Sequence, residues 1–459
     1  MQGIERFRGR RVGVLGMARS GLALTRALRD AGAEVLAFDD RPEALPPALA
    51  LGARPGAGEP VAGLGALVVS PGVPLTHPAP HPLVAAAVRA GVEVTGDVEL
   101  FAAGIAPRPI VGVTGTNGKS TTTALLHHLL LAAGVDAEAG GNIGRPVFEL
   151  EPGPPERVFV LELSSYQLDL CAGLRCRVAC WLNLTPDHLD RHGDLAGYAR
   201  AKRRIFLNQT AGDSRVIAID DAPSRELADS LSGDDARLVR VSAEGDPAAP
   251  VRVEGDRLVD AMDGGPREVR DLAGIGALRG RHNHQNASVA YAAARCLGLA
   301  PERAAAGLSS FQGLAHRMEE VARQGRVVWV NDSKATNPDA AAKSLGAYEH
   351  VFWIAGGRPK PGGFADLLPL LGSVREAFLI GEAADQMARD LGGAVRVRKV
   401  ETLERAVQEA GAAAAASGLD PAVVLLAPAC ASFDQFRSFE HRGDRFRELA
   451  RDLTRERAA

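Results

Sequence analysis

The stretch 109–120, Pro-Ile-Val-Gly-Val-Thr-Gly-Thr-Asn-Gly-Lys-Ser, gathers the residue types that bind phosphate. Glycines let backbone N–H groups approach anionic oxygens, and a helix start favours negative charge. Lysine adds a point charge and serine an oxygen for Mg²⁺. Strict phosphate-loop spacing asks for glycine at 113, where Val113 stands; the glycines here are Gly112, Gly115 and Gly118. Such a loop needs a buried strand before it and a helix after it. The β-branched run at 110–113 predicts the first. Leu125, Leu126, Leu129 and Leu130, closed by Gly134, predict the second.

Other reactive residues stand at expected strand ends. Glu162 interrupts Val-Phe-Val-Leu-Glu-Leu at 158–163. A carboxylate in a buried strand is costly unless paired or bound to a cation, and Mg²⁺ beside the loop resolves that cost. The turn at 140–144 offers the amide of Asn142. An apolar run at 178–184 feeds Thr-Pro-Asp-His-Leu-Asp-Arg-His, which places His188 at the carboxyl edge of a sheet, where ligands bind. The helix that follows carries Tyr198, Lys202, Ile205 and Phe206; a lysine there is ordinarily solvated. Asn283 and Asn286, with His282 and His284, open a further helix and suit base or phosphate contacts as well as N-capping.

These residues need α/β scaffolding, and the pattern predicts it. Residues 11–40 read as β-α-β: strand 12–15, glycine turn 16–21, a helix to Gly32, then strand 34–38 ending at Asp39-Asp40, placed to meet a ribose. Ala18 replaces the second glycine of GxGxxG, which favours a nucleotide other than a dinucleotide. Further strands are expected at 66–69 and 92–94. Pro107 and Pro109 mark a linker. Residues 214–272 show no chemistry. Beyond 311, strands at 327–330, 351–354, 377–380 and 423–427 alternate with helices and predict another parallel sheet. Polar clusters follow at 331–337, 356–360 and 429–433.

At 459 residues the chain has room for two to four domains. A net charge of −3 argues against general nucleic-acid affinity. No apolar run is long enough for a membrane span, and the first residues lack the apolar core of a signal peptide, so a cytoplasmic protein is expected. Five cysteines without CxxC spacing read as buried thiols in a reducing compartment rather than a zinc site.

Taken together, Gly-Val-Thr-Gly-Thr-Asn-Gly-Lys-Ser, Gly-Gly-Asn-Ile-Gly, Glu-Leu-Ser-Ser-Tyr-Gln-Leu, Asp-His-Leu-Asp-Arg and Gly-Arg-His-Asn resemble the Mur ligases over almost the whole chain. Glu162–Leu168 and Asn331–Asn337 resemble the members that add D-glutamate. The resemblance implies three α/β domains: a Rossmann-like UDP-binding domain (1–106), a central P-loop-type ATPase domain with a mainly parallel sheet (107–311), and a Rossmann-like amino-acid-binding domain (312–459). It implies a monomer that joins D-glutamate to UDP-N-acetylmuramoyl-L-alanine, using ATP and two divalent ions, Mg²⁺ or Mn²⁺, through an acyl phosphate in peptidoglycan precursor synthesis.

The same resemblance assigns residues. Gly115, Thr116, Asn117, Gly118, Lys119, Ser120 and Thr121 would bind ATP, with Asn283, Asn286, Arg317 and Asp332. Ser120, Glu162, His188 and a carbamylated Lys202 would hold metal; Lys119, Glu162, His188 and Lys202 would be catalytic. Ser20, Asp39, Arg41, Ser70, Gly72 and Asn142 would meet the UDP-sugar. Lys334, Thr336, Lys360, Ser432 and Phe439 would hold D-glutamate. Another amino-acid ligase of the superfamily, folylpolyglutamate synthase-like or a different Mur enzyme, is the alternative. A nucleotide switch is disfavoured, because no guanine-reading Asn-Lys-x-Asp follows the loop.

Overall fold

Short aliphatic runs bounded by glycine turns become strands, and the computed structural model describes residues 2–233, 235–359 and 363–456. Among the described residues, three sheets form. The first holds β1 (Arg11–Leu15), β2 (Glu34–Phe38), β3 (Arg54–Pro55), β4 (Ala66–Val69) and β5 (Val94–Thr95), all parallel, in the order β3-β2-β1-β4-β5. The last of these lies slightly later than the expected 92–94.

The second sheet holds β6 (Ile110–Thr114), β7 (Ala137–Gly141), β8 (Val158–Glu162), β9 (Val178–Trp181), β10 (Ser214–Ala218), β11 (Arg237–Ser242), β12 (Val251–Glu254), β13 (Arg257–Asp260) and β14 (Arg267–Asp271). Their order is β14-β13-β12-β11-β10-β9-β6-β8-β7, antiparallel only across β12-β13-β14. The expected run 178–184 is strand only to Trp181; the residues beyond it turn away to meet the glycine loop at 115–118. The third sheet holds β15 (Glu319–Gln324), β16 (Val327–Asn331), β17 (Val351–Gly356), β18 (Val374–Ile380), β19 (Val397–Glu401) and β20 (Ala422–Leu426), ordered β15-β16-β20-β17-β18-β19. Four of these strands were legible as apolar runs. The polar edge strands β15, which is antiparallel, and β19 were not.

Parallel strands covered on both faces read as continuous apolar runs, because neither face meets water. That holds for β6 and β8, buried along their whole length. The chain divides into two compact units, residues 1–272 with 283–309, and residues 273–282 with 310–459. The first unit contains two sheets because they share a core. The helix Asp97–Ile105 buries Val98, Phe101 and Ile105 against Phe159 and Leu161 of β8, and Phe101 meets Phe159 edge-on at 5.3 Å between ring centroids. No helix among the described residues is long and apolar enough to cross a membrane.

Candidate functional site

β6 sits between β8 and β9, so the chain crosses over it on passing from one to the other. Such a switch point opens a crevice at the strand carboxyl ends, and the glycine loop lies there. Thr114 Oγ1 donates to Leu163 O at 2.8 Å and ties the end of β6 to the segment after β8. The chain then turns at Gly118, whose φ of +84° lies in the left-handed region and which caps the helix Lys119–Ala132. A Cβ at Gly118 would stand 2.3 Å from Asn286 Oδ1. The glycine at 118 therefore answers to packing against Asn286.

Side chains from distant segments fix the loop. Asn117 N donates to Asn183 Oδ1 at 2.9 Å, and Asn183 Nδ2 donates back to Asn117 O at 3.2 Å. Thr116 Oγ1 donates to Thr185 O at 3.2 Å and accepts from Thr185 N at 3.1 Å. Lys119 folds its ammonium back over the loop, donating to Gly115 O and Thr116 O at 2.9 and 2.8 Å. Ser120 is buried and Thr121 half-buried on the first turn. From the helix Arg281–Cys296, Asn286 Oδ1 accepts from Thr122 Oγ1 at 3.2 Å and its Nδ2 donates to Asn283 Oδ1 at 3.2 Å. The structure thus brings Asn283 and Asn286 to the loop. Asn183 was missed; its one signal is an amide directly after an apolar strand.

Glu162 ends β8 only 2 % exposed. Its Oε1 accepts from Asn142 Nδ2 at 2.7 Å, while its Oε2 is buried without a hydrogen-bond partner. A buried carboxylate oxygen without a partner is chemically suited to a cation. Lys202, on the helix Leu195–Arg203, departs from the expectation of a solvated lysine: it is 1 % exposed. The cause is its inward face, where Nζ donates to Gly115 O at 2.8 Å and lies 4.6 Å from the Tyr198 ring centroid. Burial first, and Lys119 second, push its pKa well below the usual lysine range. His188 is half exposed, in left-handed backbone (φ +53°), with Nδ1 2.9 Å from Tyr166 Oη. No group of three or more His, Cys, Asp or Glu side chains is preassembled as a metal site among the described residues, and the five cysteines are free thiols.

A second constellation sits at the switch between β1 and β4. Ser20, Asp39, Arg41, Ser70 and Gly72 line one cavity of about 400 Å³, with Ala18. Ala18 replaces glycine there at no steric cost, because its φ of −76° suits any residue. Asp39 Oδ2 accepts from Met17 N at 2.7 Å and Oδ1 from Arg41 N at 3.0 Å. Burial alone would raise its pKa, yet these bonds and the Arg41 charge hold it below the ordinary value. Ser70 Oγ donates to Gly16 O at 2.8 Å.

In the second unit, polar residues gather at the carboxyl ends of β16, β17 and β20. Lys334 Nζ stands 3.9 Å from the Phe439 ring centroid. Ala429 N donates to Ala335 O at 2.9 Å, which joins the loop carrying Thr336 to the loop carrying buried Ser432. Asp332 is buried, accepts from Ser344 Oγ and from Met318 N, and is pushed up to about 6 by burial, with Arg317 lowering it in part. Lys360 lies outside the described residues. Arg442 was missed. It is 1 % exposed, donates to Ser333 Oγ and Ser333 O at 3.0 Å each and to Cys430 O at 3.2 Å, and so rivets two of the loops.

Residues 113–294 match the Mur ligase middle domain and residues 316–430 the Mur ligase, glutamate ligase domain. A UDP-N-acetylmuramoylalanine–D-glutamate ligase of Nitrobacter hamburgensis is 50 % identical over 456 residues, 98 % of each chain. One of Bradyrhizobium diazoefficiens is 48 % identical with the same coverage. Among solved structures, MurF of Acinetobacter baumannii superposes with a TM-score of 0.61 at 18 % identity, covering 99 % of this chain and 98 % of that one, which speaks to the fold. By its sequence relatives and its folded scaffold alike, this chain belongs to the Mur ligases, among the UDP-N-acetylmuramoylalanine–D-glutamate ligases.

Proposed function

We propose that the chain joins D-glutamate to UDP-N-acetylmuramoyl-L-alanine with ATP as the phosphoryl donor, a cytosolic step of peptidoglycan precursor synthesis, acting as a monomer. The observation that carries the reading is one cluster at the carboxyl edge of the second sheet. A phosphate loop, a buried carboxylate with one unpartnered oxygen and a buried lysine meet there. We divide the chain into the UDP-binding segment 1–106, the ATP-binding segment 107–311 and the amino-acid-binding segment 312–459.

A free carboxylate is a poor electrophile and must be activated. An oxygen of the alanyl carboxylate attacks the γ-phosphorus, and the bond to ADP breaks. The glutamate nitrogen then adds its lone pair to the acyl carbon. The tetrahedral intermediate expels phosphate, the nitrogen loses a proton, and an amide results. Phosphoryl transfer depends on positioning and charge neutralisation. The amides of residues 115–118, with Lys119, Ser120 and Thr121, are assigned to the ATP phosphates; Asn283, Asn286, Arg317 and Asp332 are further nucleotide contacts. Ser20, Asp39, Arg41, Ser70, Gly72 and Asn142 are assigned to the UDP-sugar. Lys334, Thr336, Ser432 and Phe439 are assigned to D-glutamate.

The unpartnered Glu162 oxygen fits a divalent cation, and Ser120, Glu162, His188 and a carbamylated Lys202 are the residues that would hold two such ions. When bound, the ions neutralise phosphate and acyl-oxygen charge. Lys202 is suited to carbamylation, because burial lowers its pKa and so favours the neutral amine. The neutral amine's lone pair adds to the carbon of CO₂, one C=O π bond opens onto its oxygen, and the nitrogen loses a proton, which leaves a carbamate. In a coupled assay, ADP release should require both UDP-N-acetylmuramoyl-L-alanine and D-glutamate. Release with either alone, or a preference for L-glutamate, refutes the assignment.

A further inference from the structure

His188 is held between a phenol and a carboxylate. Its Nδ1 is 2.9 Å from Tyr166 Oη, and its Nε2 is 3.6 Å from Asp187 Oδ2. A metal ligand must present an unprotonated nitrogen, and histidines that bind metal donate their other ring N–H to an outer partner. With Nδ1 taken up by Tyr166, Nε2 is the nitrogen left for a ligand. Asp187 alone would draw the ring proton onto Nε2 and close it. A hydroxyl accepts as well as donates, so Tyr166 can hold the proton at Nδ1 instead.

Tyr166 is itself fixed. Its ring lies 5.6 Å from the His192 ring, and the Arg191 guanidinium lies 5.5 Å from the Tyr166 centroid. Arg191 is 5 % exposed. Its Nη2 donates to Val73 O at 2.9 Å, and its Nε and Nη1 are buried without hydrogen-bond partners. A buried guanidinium with unmade bonds gains from an aromatic face, which pins both side chains. Val73 belongs to the loop after β4 that lines the 400 Å³ cavity.

We propose that Tyr166 is the positioning residue for His188: its hydroxyl oxygen accepts a hydrogen bond from Nδ1–H so that the Nε2 lone pair is free for a cation, and Arg191 holds Tyr166 in place. The inference rests on the reading of His188 as a metal ligand. Tyr166→Phe keeps the ring and deletes the hydroxyl. In metal-free protein, the ¹⁵N shifts of the His188 ring should report a hydrogen-bonded Nδ1 in the wild type and the solvent tautomer mixture in the variant. With ADP present, Mn²⁺ binding followed by the free-ion electron paramagnetic resonance signal should weaken about tenfold in Tyr166→Phe. The double variant with His188→Ala should bind no more weakly than His188→Ala alone. Unchanged ring shifts and unchanged Mn²⁺ affinity in Tyr166→Phe overturn the proposal. Unchanged Mn²⁺ affinity in His188→Ala overturns the ligand reading beneath it, and the ring shifts then still decide the role of Tyr166. Should Tyr166→Phe fail to fold, solvent-like His188 shifts in the wild type overturn the proposal by themselves.

Discussion

Replacing Glu162 by glutamine should stabilise the metal-free protein and abolish its stabilisation by metal. Glu162 is 2 % exposed, and only its Oε1 is satisfied, by Asn142. Leaving a buried acceptor unmatched costs about 1–3 kcal/mol, and more when it is charged. Glutamine keeps the shape and the bond from Asn142. It sets a neutral amide in the unmatched slot, so part of that cost, about 1–2 kcal/mol, is recovered. At about 2–4 °C per kcal/mol, Glu162→Gln should melt a few degrees above the wild type in EDTA. Saturating Mg²⁺ with ADP stabilises only the protein that binds it, by about 2.7 kcal/mol at a hundredfold excess over Kd, so the order should invert. Thermal unfolding of both proteins, with and without Mg²⁺ and ADP, is the assay. A variant less stable than wild type in EDTA, or one equally stabilised by Mg²⁺, refutes the argument that the free oxygen is a cation seat.

Asp97 is buried, accepts from Val98 N at 2.9 Å, and is pushed up by burial from 3.8 to about 6. A raised carboxylate pKa means that the folded state keeps its proton longer than the unfolded state, so stability is lost as pH rises from about 4 to 6. Asp97→Asn should therefore match the wild type in urea titrations at pH 4 and exceed it by up to about 3 kcal/mol at pH 8; an equal difference at both values defeats the reasoning. Gly118→Ala forces a side chain into left-handed backbone, at about 1–2 kcal/mol, and drives its Cβ against Asn286. The KM for ATP should rise at least about tenfold with the melting temperature lowered, and an unchanged KM would show that the loop tolerates the shift. Lys202→Ala should nearly abolish turnover, and bicarbonate should not restore it; full activity removes Lys202 from the centre.

The contrast between Lys119 and Asn183 shows where the sequence stops being informative. Lys119 belongs to a contiguous motif whose parts are neighbours in the chain, so strand, turn and helix start were all legible together. Asn183 anchors the same loop from 66 residues away, and no local pattern announces that pairing. Arg442 is similar: its bonds to Ser333 span 109 residues. Glu162 was legible because a carboxylate among apolar neighbours breaks a local rule. Lys202 was misjudged on local grounds, since a helix lysine carries no mark of the face it turns inward. The strands β15 and β19 escaped notice because edge strands are polar enough to resemble loops.

By itself, the sequence determined the glycine turns, the buried parallel strands, the strand–glycine loop–helix unit at 110–132 and the family, since each is written in residues close together or in a motif matched whole. Only the tertiary structure decided that one Glu162 oxygen has no partner, that Lys202 is buried beside Lys119, and that Tyr166 and Asp187 stand at the two ring nitrogens of His188. The physical reason is that burial, desolvation and hydrogen-bond satisfaction are properties of surroundings assembled from distant segments, and those surroundings set the chemistry of a side chain whose identity the sequence already supplies.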